Sequence, residues 1–120
     1  MTEILKGKTY DLEERTLRFA KRMRDWLIRL PRSLANVEDS KQAIRSSGSV
    51  GANYIEANES LSKKDFLMRI KICRKEAKES RFWLRLLSSE DLLVLKEKND
   101  LIQESTELMN IFGAIIRKSE

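Results

Sequence analysis

An all-α fold, an antiparallel up-down four-helix bundle, is what this sequence predicts, and three observations carry the expectation. Apolar residues recur at three- and four-residue steps in long, separate runs. Punctuation is sparse: the 120 residues hold one proline and four glycines, which leaves long helices uninterrupted. No stretch alternates apolar and polar residues as a half-buried strand does. A chain of this length forms one domain, expected over residues 11–118 behind a flexible tail of residues 1–10.

The first helix is expected to start at Asp11, which with Glu14 makes a variant capping box. Leu12, Thr16, Phe19, Ala20, Met23, Trp26, Leu27 and Leu30 then share one face, and Pro31 closes the run because proline disfavours helix at the residue before it. A later helix is expected to start at Ser62 with Asp65. Its residues Phe66, Ile70, Cys73, Ala77, Ser80, Leu84 and Leu87 alternate steps of four and three, the seam of close antiparallel packing. The "SSED" of residues 88–91 supplies a turn or a cap. Leu101, Ser105, Leu108, Met109, Phe112, Ile115 and Ile116 then define a last helix from about Glu97 to Arg117.

Between Pro31 and Ser62 lies "RSSGSVGANYIEANES", residues 45–60, whose serines, glycines and asparagines read by composition as a loop. A helix accounts for it better. Ile44, Ser47, Gly48, Gly51 and Ile55 fall on one side, where small residues let two backbones approach closely. Each mid-helix glycine costs about 1 kcal/mol relative to alanine, so tight packing is the expected offset. On an adjacent side Arg45, Ser49, Ala52, Asn53 and Glu56 line up as a hydrogen-bonded ladder. Arg45, Asn53 and Glu56 are expected to be mostly buried, with Arg45 paired to Glu56 or Glu79. The loop alternatives lack support: "GSVG" has none of the flanking strands of a KH clamp, and a Walker loop needs a Gly-Lys-Ser/Thr ending.

These residues carry a family resemblance. "LPRSLANVEDSKQAIRSSGSVGANYIEANES" followed by "KKDFLMRIKICRKEAKESRFWLRLL" resembles the four-helix-bundle proteins encoded in intervening sequences of bacterial 23S rRNA genes, over about residues 10–117. The pattern rests on Arg45, Ser46, Ser47, Ser49, Val50, Asn53 and Glu56, with Glu79 matching a glutamate of the following helix. Ala57 stands where the family commonly has glycine. The resemblance implies a ring-like homopentamer. It also implies kinship with the accessory protein of diversity-generating retroelements, and so nucleic acid and a reverse transcriptase as possible partners. Glu79 joins Arg45, Ser49, Asn53 and Glu56 in a structural polar network on the same ground.

Charge is spread unevenly. Residues 11–87 carry 18 Lys/Arg against 11 Asp/Glu, whereas residues 88–120 carry 4 against 7. A basic body with an acidic last segment suits a polyanion partner. Lys71, Arg74, Lys78, Arg81 and Arg85 form a cationic stripe, and Arg15, Arg18, Arg22 and Arg29 form a second, interrupted by Asp25. Both are candidate phosphate-binding residues for RNA or DNA. The competing reading is that these faces are solvated, or pair with acids on neighbouring helices. Met68, Ile72, Trp83 and Leu86 make a second apolar flank on the later helix, a candidate homo-oligomer interface, since a lone bundle needs one apolar stripe per helix.

Catalysis finds little footing. The sequence has no histidine, which removes the commonest general base and transition-metal ligand. Cys73, the single cysteine, lies in the seam and reads as a small core residue. Glu56 and Glu79 are the candidate carboxylate pair for acid-base or metal chemistry, and the arginine and asparagine beside them favour a salt-bridge network; Glu76 and Glu79 do not form the Glu-x-x-His motif of di-iron bundles. The expectation is therefore a protein that is not an enzyme, with no catalytic residues, metal or cofactor. One cysteine and the lack of a signal peptide or long apolar run point to the cytoplasm and away from a membrane. Binding of structured RNA or RNA/DNA by an oligomeric bundle is the leading function, a structural or protein-interaction oligomer the alternative, and a metal-carboxylate enzyme the third.

Overall fold

A computed structural model describes residues 2–120, with side chains from Leu12 onward. They form four helices: α1 (Thr2–Leu27), α2 (Leu34–Asn58), α3 (Lys63–Leu86) and α4 (Leu92–Ser119), with no strand among the described residues. Each helix packs on its chain neighbours, and α1 closes the bundle against α4, so α1 and α3 stand diagonally across the core. The chain runs up and down through short turns. α1 starts well ahead of the cap expected at Asp11; the tail expected over residues 1–10 lies outside the described side chains.

Caps and proline set the other boundaries. Ser33 and Ser62 accept from the backbone N–H groups of Asn36 and Asp65, three residues on. Asp91 accepts from Leu93 and Val94, so α4 begins earlier than the expected Glu97. The signal for that start was Val94, seven residues before Leu101 on the same seam; both are buried. α1 stops at Leu27 rather than Leu30. Ahead of Pro31 the chain tightens into three-residue bonds, Arg29 N–H to Trp26 O and Leu30 N–H to Leu27 O. Leu30 stays in the core regardless.

The seams of α1, α3 and α4 build the core. Phe19, Met23, Trp26, Ile70, Cys73, Ala77, Leu84, Leu108 and Phe112 are all at most 1% exposed. The Trp26 indole donates to Val94 O at 2.9 Å, fixing the end of α1 on the start of α4. Buried hydroxyls find partners: Thr16 donates to Leu12 O within α1, and Ser80 donates to Ser46 Oγ, 2.9 Å away across the α2/α3 contact. Asn36 ties the two turns at one end of the bundle, donating to Pro31 O and Ser88 O and accepting from Ser88 N–H. Among the described residues no buried side-chain polar atom lacks a partner.

α2 departs from the expected face. Its core side is Ala43, Ser46, Ser47, Val50, Tyr54 and Ala57, while Ile44 and Ile55 are 39% and 50% exposed on the α1 shoulder. Large apolar residues mark the rim here because small ones fill the close contact with α3. One glycine does serve close approach: a Cβ on Gly51 would lie 2.9 Å from Thr16 Oγ1 on α1. Gly48 instead faces the end of the Arg24 side chain at 3.4 Å.

Candidate nucleic-acid interface

The bundle order places both arginine stripes beside α4, from opposite sides. On the α1 side, Arg15 donates to both carboxylate oxygens of Glu104, at 2.7 and 2.9 Å, and to Glu107 at 2.7 Å. Arg29 makes a two-pronged pair with Glu97. The Glu104 hydrogen bonds hold the Arg15 guanidinium above its ordinary pKa, against the opposing effect of burial. Arg29 in turn pulls Glu97 below the carboxylate range, and hydrogen bonds from Gln103 and then Arg15 do the same to Glu107. Arg18 and Arg22 are exposed and have no hydrogen bond or ion pair to a described residue. Half of the α1 stripe is therefore consumed by the acidic edge of α4.

The α3 side is different. Arg81 donates to Thr106 of α4 at 3.1 Å, and Lys71 reaches Glu120 only at 4.0 Å. Lys98 of α4 donates to Leu87 O at 2.8 Å, a cation closing the C-terminal carbonyls of α3; burial lowers its pKa. The α4 residues that share helical steps with Lys98 and Thr106 are Ile102, Met109 and Gly113, none acidic. Arg74, Lys78 and Arg85 are exposed, and their side chains make no hydrogen bond or ion pair to a described residue. Spaced at helical steps of four and seven, they make one open cationic edge between α3 and α4, to which Lys98 adds a further positive charge.

The polar ladder of α2 lies on the opposite flank of α3. Arg45 pairs with Glu79 and, at 3.3 Å, with Glu76. Asn53 donates to Ser49 O and accepts from Arg69 at 3.1 Å. Trp83 donates its indole N–H to Glu79 at 3.1 Å. Burial acts to raise the Glu79 pKa, but the hydrogen bonds from Trp83 and Arg45 lower it below the ordinary value. The expected burial is corrected: the Arg45 side chain is 46% exposed, Asn53 is half-buried and Glu56 is exposed. Glu56 pairs with neither Arg45 nor any other described residue. It lines an open cleft with Asp65, Met68 and Arg69 at the α3 start, whereas Glu76, 8% exposed, takes the inner place. Glu76 follows Cys73 and precedes Ser80 at steps of three and four, and that spacing was the signal for it.

The α3 apolar flank divides. Met68 and Leu86 are 53% and 49% exposed, while Ile72 and Trp83 are half-buried. Phe82, absent from the expected flank, is 53% exposed. Cys73 is fully buried, and burial pushes its thiol up to about 12, a poor nucleophile. Glu56 and Glu79 share no contact that would make a carboxylate site, and no cluster of metal-ligating residues occurs among the described residues. Among the described residues no helix is long and apolar enough to cross a membrane.

Comparison with known proteins gives a consistent placement. Residues 8–114 match the model of a family described as 23S rRNA-intervening sequence protein. Among solved structures, a protein of unknown function from the S23 ribosomal protein family of Bacteroides thetaiotaomicron VPI-5482 is 30% identical. The match has a TM-score of 0.75 and covers 88% of this chain and 97% of that one. No curated protein matches the chain.

Proposed function

This chain belongs to the 23S rRNA-intervening sequence protein family, and from that premise and the surface above we propose that it is a non-enzymatic, cytoplasmic helical bundle that binds nucleic acid. The observation that carries the reading is the open edge of Arg74, Lys78 and Arg85, whose side chains have no ion pair to a described residue, while Glu120 at the end of α4 reaches Lys71 only at 4.0 Å. Uncompensated arginines and lysines at helical spacing suit a phosphate backbone and carry no base readout of their own. The α1 stripe is secondary, since Arg15 and Arg29 are already paired. Self-association through Met68, Leu86, Ile72 and Trp83 belongs to the same reading, as a homopentamer by family resemblance. A ring would repeat the edge and raise affinity by avidity.

Anisotropy of labelled RNA and DNA, single-stranded and duplex, over a salt series tests this. Affinity should fall linearly in log-log form, with a slope of roughly −0.7 to −0.9 per phosphate neutralised. Lack of binding to every probe at low salt would overturn it. The arginine-glutamate pairs along α1/α4 favour the second reading, an interaction scaffold whose charges organise protein contacts, and that result would put it first.

A further inference from the structure

We propose that Phe82 is a base-stacking platform, so that the α3 edge prefers single-stranded nucleic acid to duplex; this rests on the phosphate-binding reading of the same edge. Phe82 is 53% exposed. It lies four residues after Lys78 and three before Arg85, so both cations neighbour it on the helix surface, one on either side along the axis. Lys78 and Arg85 are separated by roughly 10 Å of helix rise, enough for a backbone to be held on both sides of one stacked base.

The ring is also held in place. It meets the Trp83 ring edge-on, with centroids 5.0 Å apart and planes at 76°. Trp83 is fixed in turn by its hydrogen bond to Glu79, and Glu79 by its pair with Arg45. An aromatic face so placed offers stacking at small entropic cost, and cations beside it supply the sequence-independent grip. Only a single strand can use both, because a duplex buries its base faces against one another. The charge around Phe82 sets it apart from the α1 shoulder residues Ile44 and Ile55, which have no free cation three or four residues away along α2 and suit contact with another polypeptide.

The test compares an oligo(dT) or oligo(U) strand with a mixed-sequence duplex, using wild type, Phe82→Ala and Phe82→Tyr at one low salt concentration. Wild type should favour the single strand. Phe82→Ala should weaken single-strand binding roughly 5- to 100-fold, leave duplex binding unchanged and keep the salt slope, and Phe82→Tyr should restore affinity. Trp83 emission should be quenched by the single strand and not by the duplex. Equal single-strand affinity in Phe82→Ala would overturn the stacking role while leaving the cationic edge intact. A drop in assembly size for Phe82→Ala, seen by light scattering, would assign the ring to self-association and overturn it too. Failure of wild type to bind either probe would remove both the inference and the reading beneath it.

Discussion

On α1, Arg15 and Arg29 end against carboxylates of α4; on α3, Arg74, Lys78 and Arg85 end in solvent. Both runs step by three, four and seven residues, both are arginine-rich, and both border the same helix. What differs is the edge of α4 that each one meets. Toward α1, α4 presents Glu97, Glu104 and Glu107; toward α3 it presents Lys98 and Thr106, with a carboxylate, Glu120, only at its end. A cationic stripe is therefore a binding surface only after its neighbours have been subtracted. Three glutamates of the acidic last segment are internal counter-charges for one stripe, and the surplus charge is concentrated on the other.

The sharpest way to break this comparison is to remove the open stripe. Arg74→Ala, Lys78→Ala and Arg85→Ala together should reduce the salt slope by roughly 2–3 and cost about two to three decades of affinity near 0.1 M salt. Arg18→Ala with Arg22→Ala should do far less. Equal losses for the two variants would mean that pairing does not govern binding.

The reverse experiment should convert the closed stripe into an open one. Glu97→Gln, Glu104→Gln and Glu107→Gln leave Arg15 and Arg29 unpaired, and the salt slope should steepen by about 1–2. The largest stability loss should come from Glu104, whose side chain is only 14% exposed. Its replacement alone should cost about 1–2 kcal/mol by chemical denaturation, discounted for the partial exposure of Arg15. An unchanged slope in the triple variant would break the idea that α4 masks these arginines.

The other flank of α1 supports a smaller test of how one helix constrains another. A Cβ at Gly51 would crowd Thr16, 2.9 Å from Oγ1 and 3.2 Å from Cβ, so Gly51→Ala should destabilise by about 1–2 kcal/mol. At Gly48 the only near atom is the flexible end of Arg24. Gly48→Ala should therefore stabilise by about 0.5–1 kcal/mol through helix propensity. Thermal melts of the two variants should shift in opposite directions.

The smallest effect is on pH. Glu97 and Glu107 are held below the ordinary carboxylate range by Arg29 and by Gln103 with Arg15. Their contribution is full above the unfolded-state value of about 4.3 and is lost as pH falls through the lower folded-state values. Melting temperature should accordingly drop between about pH 5 and pH 3. The drop should be shallower when both residues are glutamine, and shallower for wild type in high salt.

Much of the architecture was legible because three helices advertise their buried faces with large side chains. Every seam position expected on α3 is buried or packed on the core, from Phe66 to Leu87. On α2 the same method placed Ile44 and Ile55 at the packing face, and both are exposed. The true face there is alanine and serine, because the close α2/α3 contact has room for little else, and its hydroxyls find partners in Ser46 and Ser80. Hydrophobicity cannot flag a face whose apolar character lies in its smallness. The partner of Arg45 was named as one of two candidates, and Glu79 is the one it meets. The inner carboxylate Glu76 was not anticipated, since a glutamate reads as surface until an arginine across the interface is known.

The sequence by itself determined the helices, three of their four buried faces and the existence of two cationic stripes, all of which follow from residues three and four apart on one helix. Tertiary structure decided which stripe stays free. That depends on α4 lying between α1 and α3, and on its rotation about its own axis, which turns the glutamates toward Arg15 and Arg29 and the uncharged steps toward Arg81. Local spacing sets what a helix face contains; packing order and rotation set what stands opposite it, and charge compensation is a property of the pair.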